Sequence, residues 1–351
     1  MANTEHGYSP AKLRELRGNL HIHSNRSDGT LSPSEIASLA NRCKLDFIGI
    51  NDHFAVCGPS YYEKGILILQ GTELNKDHSH CLAYNCSLAP KPKQEDGAVV
   101  AEQVINSGGI GIIAHPFETG SPLVSGGRCY PWLNWETADY QGIEIWNQTS
   151  QWRDSARSYW RSLRQWLFRR YRPFAQGACP KALAIWDKVC RQRHVTGVAG
   201  SDLHAPIIKV WGIKFKLLQY PMLLAAVNTY CLAEVTGDGK RDGAEIIAAL
   251  RQGRCWIAYD RLSLGRGFSY TAEAGENWAG MGGTVSRTRG KAWLRIKLPR
   301  PGEICLIHNG NPVIREKGQT RDLSVGAAGV YRVEARLKGI PWIYSNPIYI
   351  N

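Results

Sequence analysis

Short apolar runs, nearly all with a histidine or a carboxylate at one end, constrain this chain more than any other feature. Runs at 46–50, 66–69, 81–84, 110–114, 142–146 and 195–199 read as buried strands, with stretches of helical spacing between them. Ser32-Pro33-Ser34-Glu35 is a helix start, with Ser as N-cap, Pro at the first helical position and Glu three residues after the cap. Ile36, Leu39 and Ala40 follow at helical spacing, and 97–106 and 180–192 read the same way. Strand–helix alternation of this kind implies an α/β fold with a mostly parallel, buried sheet. When such a sheet closes into a barrel, the strand C-termini converge on one face, where sites are built.

The residues at those ends are chemically uniform. His21-Ile22-His23 closes the first strand and Ser27-Asp28-Gly29 follows it. Histidines one residue apart on a strand share a face, which sends Leu20 and Ile22 the other way into a core. Asp52-His53, Glu73, His80, His115 and Ser201-Asp202-Leu203-His204 stand at the later strand ends. Six of the ten histidines fall in this set. Imidazole nitrogen with carboxylate oxygen suits manganese, iron and zinc. Nine such side chains (His21, His23, Asp28, His53, Glu73, His80, His115, Asp202 and His204) are too many for one ion and suit two or three. His6, His194 and His308 have no motif context and read as structural.

Taken together, His21-x-His23 with Ser27-Asp28-Gly29, Asp52-His53, Glu73, Ala114-His115-Pro116 and Ser201-Asp202-x-His204 resemble the PHP family, named for polymerase and histidinol phosphatase. The resemblance spans roughly residues 17–205. Outside the site, Gly142-Ile-Glu-Ile-Trp146-Asn147, residues 182–187, residues 221–230 and Ser345-Asn-Pro-Ile-Tyr349 resemble the CehA/McbA-type branch of metallohydrolases. The resemblance implies a distorted β/α barrel of about seven strands holding two or three divalent ions. It assigns His21, His23, Glu73 and Asp202 to one ion. Glu73 bridges to a second, completed by His80 and His115, while Asp28, His53 and His204 hold a third. His78, two residues from His80, is the alternative ligand there. Asp52 is expected to orient His53 rather than to bind.

At 351 residues the chain is long enough for two domains, and its 43% hydrophobic residues supply a core. Past about Gly265 the texture changes. Ala292, Leu294, Ile296 and Leu298 alternate, 303–308 is another strand, Asn309-Gly310 is a hairpin turn, and Tyr331, Val333, Ala335 and Leu337 alternate again. This predicts a catalytic barrel over 1–264 and a small C-terminal β-sandwich over 265–351. A basic helical insertion at about 151–177 interrupts the barrel rhythm. Trp152, Ala156, Tyr159, Leu163 and Trp166 form one stripe, and Arg153, Arg157, Arg161 and Arg164 form another. The spacing predicts a helix over 151–171, packed on the barrel with a solvated arginine face or lying over the site as a lid. Residues 152–193 hold a net +9 of the chain's +13, so an anionic partner or substrate is expected. The polar N-terminus and ten scattered cysteines without zinc-finger spacing suggest a cytoplasmic protein with mostly buried, reduced thiols. No apolar stretch is long enough to span a bilayer.

The expected activity is hydrolysis of a small anionic ester, a phosphate mono- or diester, with a hydroxide bridging two ions as nucleophile. Glu73 and Asp202 would hold the shared charge, and water on a metal, or His204 where it is not committed to metal, would protonate the leaving group. A metal-dependent carboxylesterase is the alternative within enzymes. A metal-stabilised module binding nucleic acid or another protein is the alternative outside them, and it is disfavoured because every expected ligand is present.

Overall fold

The computed structural model describes residues 13–88, 92–137, 139–158, 160, 164, 173–210, 213–216 and 218–351. Its first strands are β1 (Arg14–Ile22), β2 (Phe47–Ile50), β3 (Tyr61–Glu63), β4 (Ile66–Leu74), β5 (Cys81–Tyr84), β6 (Ile110–Ile113), β7 (Gly142–Asn147) and β8 (Thr196–Leu203). Helices are α1 (Pro33–Arg42), α2 (Gly97–Asn106), α3 (Gln148–Ser155), α4 (Pro180–Cys190), α5 (Tyr220–Leu224) and α6 (Gly239–Gln252). Strands pair in the order β1, β2, β4, β5, β6, β7, β8 and back to β1, which closes a seven-stranded barrel. β3 flanks β4 outside that ring.

Five of the seven junctions are parallel, and the two that involve β5 are antiparallel. The cause is the short link from Leu74 to Cys81, too short for the crossover that a parallel return requires. The reversal puts the beginning of β5 on the face where the parallel strands end, and His80 stands there.

Alternation sorts the apolar residues into two layers. Leu20, Phe47, Leu67, Leu69, Leu82, Tyr84, Ile112 and Val198 form an inner cluster with Ile246, Ala249 and Leu250 of α6. Ile48, Ile50, Ile68, Ala83, Ile113, Ile143 and Ile145 face outward and pack with Ile36 and Ala40 of α1, Val100 and Val104 of α2, and Ala182 and Trp186 of α4. α1 begins as its sequence predicts. The Ser32 side chain accepts from the Glu35 amide, and the Glu35 carboxylate accepts from the Ser32 amide at 2.8 Å.

Beyond the barrel lie the hairpin β9 (Ile207–Val210) and β10 (Ile213–Lys216), then β11 (Val227–Ala233) and β12 (Cys255–Tyr259). They are followed by β13 (Ser269–Ala274), β14 (Asn277–Gly280), β15 (Thr284–Val285), β16 (Ala292–His308), β17 (Asn311–Val325), β18 (Gly329–Leu337), β19 (Ile340–Ser345) and β20 (Ile348–Ile350). The stretches expected as separate strands at 291–298 and 303–308 are one 17-residue strand, β16, with a register irregularity between Lys297 and Gly302. β16 and β17 turn at Asn309–Gly310, both at positive φ.

The C-terminal strands are hydrogen-bonded into the barrel. The first half of β1 pairs with β11, β11 with β12, β12 with β19, and β19 with β18. On the face of β18 opposite Tyr331 and Val333, buried Arg332 makes two hydrogen bonds, at 2.6 and 2.8 Å, to the carboxylate of Asp187 on α4.

The helix expected over 151–171 is interrupted at 156–158, and beyond the break Trp160 and Arg164 are again helical. α3 ends at Ser155, because Ala156 leaves helical geometry at ψ 77° and its amide turns back to the Arg153 carbonyl. Tyr159, Arg161, Leu163, Trp166 and 169–172 lie outside the described residues, as does His6. Among the described residues, no helix is long and apolar enough to cross a membrane.

Candidate metal centre

The strand ends bring all nine singled-out side chains to one place. The convergence begins with an irregularity in β1. His21 has φ +61°, and the register of β1 shifts between Leu20 and Ile22 against β8. Regular alternation would put Leu20 and Ile22 on one face and His21 on the other. Instead Leu20 lies in the inner cluster and Ile22 in the outer one, so the expectation that they share a core is corrected. The bulge turns His21 inward beside Leu20, and His23 follows two residues later. His115 and Asp202, at the ends of β6 and β8, also have positive φ, at 29° and 51°. Backbone held in sparsely populated conformations at several converging strand ends is typical of a functional site.

Glu73, on β4, is the centre of the cluster and is fully buried. Its Oε2 lies 3.2 Å from His21 Nε2, 3.1 Å from His23 Nε2 and 3.6 Å from His53 Nδ1. Its Oε1 lies 2.8 Å from His80 Nδ1 and 3.1 Å from His115 Nε2. Asp202 Oδ1 is 3.5 Å from His21 Nε2 and 3.4 Å from His204 Nδ1. Asp28 reaches His23, His53 and His204 at 3.3, 3.7 and 3.2 Å. Three groups each have ligand atoms within 4.8 Å of one another: His21, His23, Glu73 and Asp202; Glu73, His80 and His115; and His23, Asp28, His53 and His204. His23 belongs to two of them, where the resemblance used it once.

The donor atoms fit a cation better than they fit each other. His21 Nε2, both ring nitrogens of His23, His53 Nδ1 and His80 Nε2 are buried without a hydrogen-bond partner. Several sit within 3.7 Å of a carboxylate oxygen but out of line with it, so nitrogen and oxygen both point at common spaces between them. An unmade hydrogen bond at a buried polar atom costs about 1–3 kcal/mol. Divalent ions with nitrogen and oxygen preferences would satisfy these atoms together.

The electrostatics follow from the crowding. Burial alone would raise the carboxyl of Glu73, but His21, His80 and His53 around it hold it well below the usual range. Burial is likewise outweighed at Asp202, where His21, His204 and His115 hold the value at about 2. Burial pushes the imidazoles of His23 and His115 down, yet the carboxylates beside them lift each to about 9, Asp28 and Glu73 for His23 and chiefly Glu73 for His115. At His53 burial outweighs the pull of Glu73 and Asp28, and its value falls. Without metal the cluster therefore holds protons where cations would sit.

Supporting residues differ from the sequence expectation in two respects. Asp52 does not orient His53. Its carboxylate accepts from the Ser24 amide at 2.7 Å, the Ser24 hydroxyl at 2.6 Å and the Ser27 hydroxyl at 2.8 Å, which shapes the turn that presents Asp28. Gly29 completes that turn, because a Cβ there would lie 2.2 Å from the His23 carbonyl oxygen.

Glu144 carries a role that sequence reasoning missed. Buried on β7, its Oε1 accepts from His21 Nδ1 at 2.9 Å, which leaves Nε2 toward Glu73. Its Oε2 accepts from the His115 amide at 2.8 Å and from Asn147 Nδ2 at 2.9 Å. Gly200 makes room for it, since a Cβ there would overlap Glu144 Oε1 at 1.6 Å. The available signal was a lone carboxylate inside the apolar run Gly142-Ile-Glu-Ile-Trp146.

Other histidines stand apart. Gln94 and Ser79 lie within hydrogen-bond reach of the His78 ring, which is outside all three groups. His194 stacks on Tyr349, and His308 stacks on Tyr331.

A cavity of about 300 Å³ opens beside the cluster. Asp28, His53, Glu73, His80, His115, Asp202 and His204 line it with Lys76, Tyr130 and three residues of α3: Thr149, Trp152 and Arg153. The site thus joins a buried donor cluster to an accessible space with basic groups on its wall.

No family profile and no curated protein matches this chain. Among solved structures, a two-domain protein containing a predicted PHP-like metal-dependent phosphoesterase from Bacteroides vulgatus aligns over 96% of both chains, at 16% identity and a TM-score of 0.46. An inferred metal-dependent phosphoesterase from Bifidobacterium adolescentis aligns over 53% of this chain and 87% of its own, at 14% identity and a TM-score of 0.32. An amidohydrolase from Chromobacterium violaceum, with bound sulfate and no metal, aligns over 58% of this chain and 92% of its own, at 14% identity and a TM-score of 0.31. TM-scores below 0.5 establish neither kinship nor chemistry, and the site is judged on its own side chains.

Proposed function

We propose that this chain is a metal-dependent hydrolase of the PHP type that cleaves small phosphate mono- or diesters. The observation that carries the reading is the set of buried imidazole nitrogens left without hydrogen-bond partners around Glu73, beside an open cavity. His21, His23, Glu73 and Asp202 would hold one ion, and Glu73, His80 and His115 a second. Asp28, His53 and His204 would hold a third, with His23 close enough to share. Manganese, iron or zinc ions bound there would supply Lewis acidity and bring the pKa of water from about 16 to about 7.

The chain's own residues do the rest. Glu73 and Asp202 concentrate negative charge where cations must gather. Glu144 fixes the ring of His21 and the backbone of His115. His204 stands at the cavity rim with its side chain 22% exposed and its Nδ1 3.0 Å from the Asp202 carbonyl oxygen. Where the third ion does not engage it, that places it to pass a proton to a departing alkoxide. Lys76 and Arg153 line the same cavity and draw in an anionic ester. Residues 1–264 form the catalytic body in this reading, and 265–351 a β-sandwich that buttresses it through Arg332 and Asp187.

The test compares metal-stripped and reloaded protein on a chromogenic phosphate diester and a chromogenic carboxyl ester. The reading expects metal-dependent turnover of the phosphate ester, lost in Glu73→Ala and Asp202→Ala. Turnover of the carboxyl ester alone would replace it with a carboxylesterase, and full turnover without metal would end it.

A further inference from the structure

All ten cysteines of the chain are unbonded, yet two pairs of thiols meet in the fold and differ in access. Cys231 and Cys255 stand opposite each other on β11 and β12, within hydrogen-bond reach and both fully buried. Cys57 and Cys86, 29 residues apart in the chain, bring their Sγ atoms to 2.8 Å. Cys86 is buried, whereas Cys57 is part-exposed. Among the described residues neither belongs to a group of converging metal-ligand atoms, so their contact is not part of a cation site.

The second pair joins two segments that leave the metal centre. Cys57 follows His53 in the stretch 55–60, which is neither helix nor strand, and Val56 beside it is 71% exposed. At the start of that stretch the Phe54 amide donates to the Glu73 carbonyl at 3.1 Å, and the Ala55 amide donates to the Asp52 carbonyl at 3.2 Å. Next along, the Cys57 thiol reaches across to β5, where it lies 3.5 Å from the Ala83 carbonyl oxygen and meets Cys86. Cys86 stands just past the end of β5, the strand that follows His80.

Two thiols this close, one of them open to solvent, are set for thiol–disulfide exchange. A disulfide of about 2.05 Å would ask the sulfurs to close by less than about 1 Å. Cross-linking positions 29 residues apart also removes freedom from the unfolded chain. Cys231 and Cys255 have the proximity without the access, because no oxidant reaches a fully buried thiol in the folded protein.

We infer that Cys57 and Cys86 form a reversible disulfide that ties the loop leaving His53 to β5, with a small-molecule disulfide as the oxidant. The Cys57 thiolate attacks one sulfur of the oxidant, forms a mixed disulfide and expels one thiolate. The Cys86 thiolate then attacks the Cys57 sulfur and expels the other half. Two protein thiols give up two electrons and two protons, and one small disulfide becomes two thiols. A reducing dithiol reverses the exchange. Because the sulfurs already touch, the bond fastens the loop where it lies. The inference stands apart from the hydrolase reading and needs neither substrate nor turnover.

The test equilibrates the native protein, with its metal, in glutathione buffers of rising disulfide fraction, quenches with acid and alkylates in denaturant. Digestion and mass spectrometry are expected to find one cross-linked peptide pair, Cys57 with Cys86, lighter by two hydrogens than the free peptides together. Cys231 and Cys255 remain open to alkylation. The oxidised protein melts about 5 °C above the reduced one, and dithiothreitol abolishes the difference. Cys57→Ser and Cys86→Ser each melt at one temperature in both buffers, and either serves as the control where the other does not fold. Both thiols still alkylated in the most oxidising buffer, Cys57 stalled as its mixed disulfide, or a cross-link to a different cysteine would overturn the inference. A Cys57–Cys86 bond that leaves the melting temperature unchanged would overturn the tether.

Discussion

Replacing Glu144 by Gln isolates the part of the site that no motif announced. The side chain keeps its shape and loses its charge. In the native protein its two oxygens accept three hydrogen bonds, from His21 Nδ1, the His115 amide and Asn147 Nδ2. A glutamine has one acceptor oxygen, so its NH₂ must face either the His21 ring or the pair formed by the His115 amide and Asn147. With the first choice the His21 ring loses its anchor, and with the second the backbone carrying His115 does. Removing an outer hydrogen-bond partner of a metal-ligating histidine costs about 10–100-fold in metal affinity. That is about 1.4–2.8 kcal/mol at about 1.4 kcal/mol per tenfold. Competition against a chromogenic chelator measures the affinity, and thermal unfolding of the metal-free protein checks that the variant folds. A folded Glu144→Gln protein that binds metal within about twofold of native, well short of that range, would refute the positioning role.

Gly200→Ala should reproduce that loss, because its Cβ would displace Glu144 Oε1. Combined with Glu144→Gln it should add little, and full additivity in the chelator assay would contradict the coupling. Metal affinity should climb with pH up to about 9 and then flatten, since cations must displace protons that His23 and His115 hold up to that value. A flat chelator titration across neutral pH would contradict this. Metal-free protein should behave in the opposite sense. The folded values of these two imidazoles lie above their ordinary 6.5, so their stabilisation is complete below about 6.5 and disappears as pH rises through about 9. Its melting temperature should fall across that window. Asp187→Asn should destabilise the fold by about 3 kcal/mol in urea, the low end of the cost of breaking a buried pair, because the buried Arg332 guanidinium keeps only Glu334, at 2.7 Å, as its charge partner. A cost below about 1 kcal/mol would mean that the pair contributes only as a surface bridge does.

What could be read from the sequence was local and periodic. The Ser32–Glu35 cap, the apolar strands and the Asn309–Gly310 turn all follow from interactions within a few residues, and each appears where its spacing puts it. Gathering of the nine side chains was also legible, because a strand end is a local feature and a barrel collects strand ends by construction. Long-range choices were not. Asp52 turns to Ser24 and Ser27 on a different loop, and nothing near Asp52 in sequence reports that. Glu144 looked like one polar residue on a buried strand, because its partners come from β1 and the end of β6. Reversal of β5 is a consequence of loop length rather than of strand composition. The break at Ala156 in the helix expected over 151–171 was not legible, since a continuous stripe cannot register a local change in backbone geometry.

The central claim is that the side chains around Glu73 hold metal. Elemental analysis of protein exposed to manganese, iron and zinc and then freed of loose ions measures it directly. Native protein is expected to retain about two to three equivalents of divalent metal, as three donor groups sharing ligands require, and Glu73→Gln to lose most of it. Native protein that keeps no metal, or Glu73→Gln protein that keeps as much as native, would contradict the account.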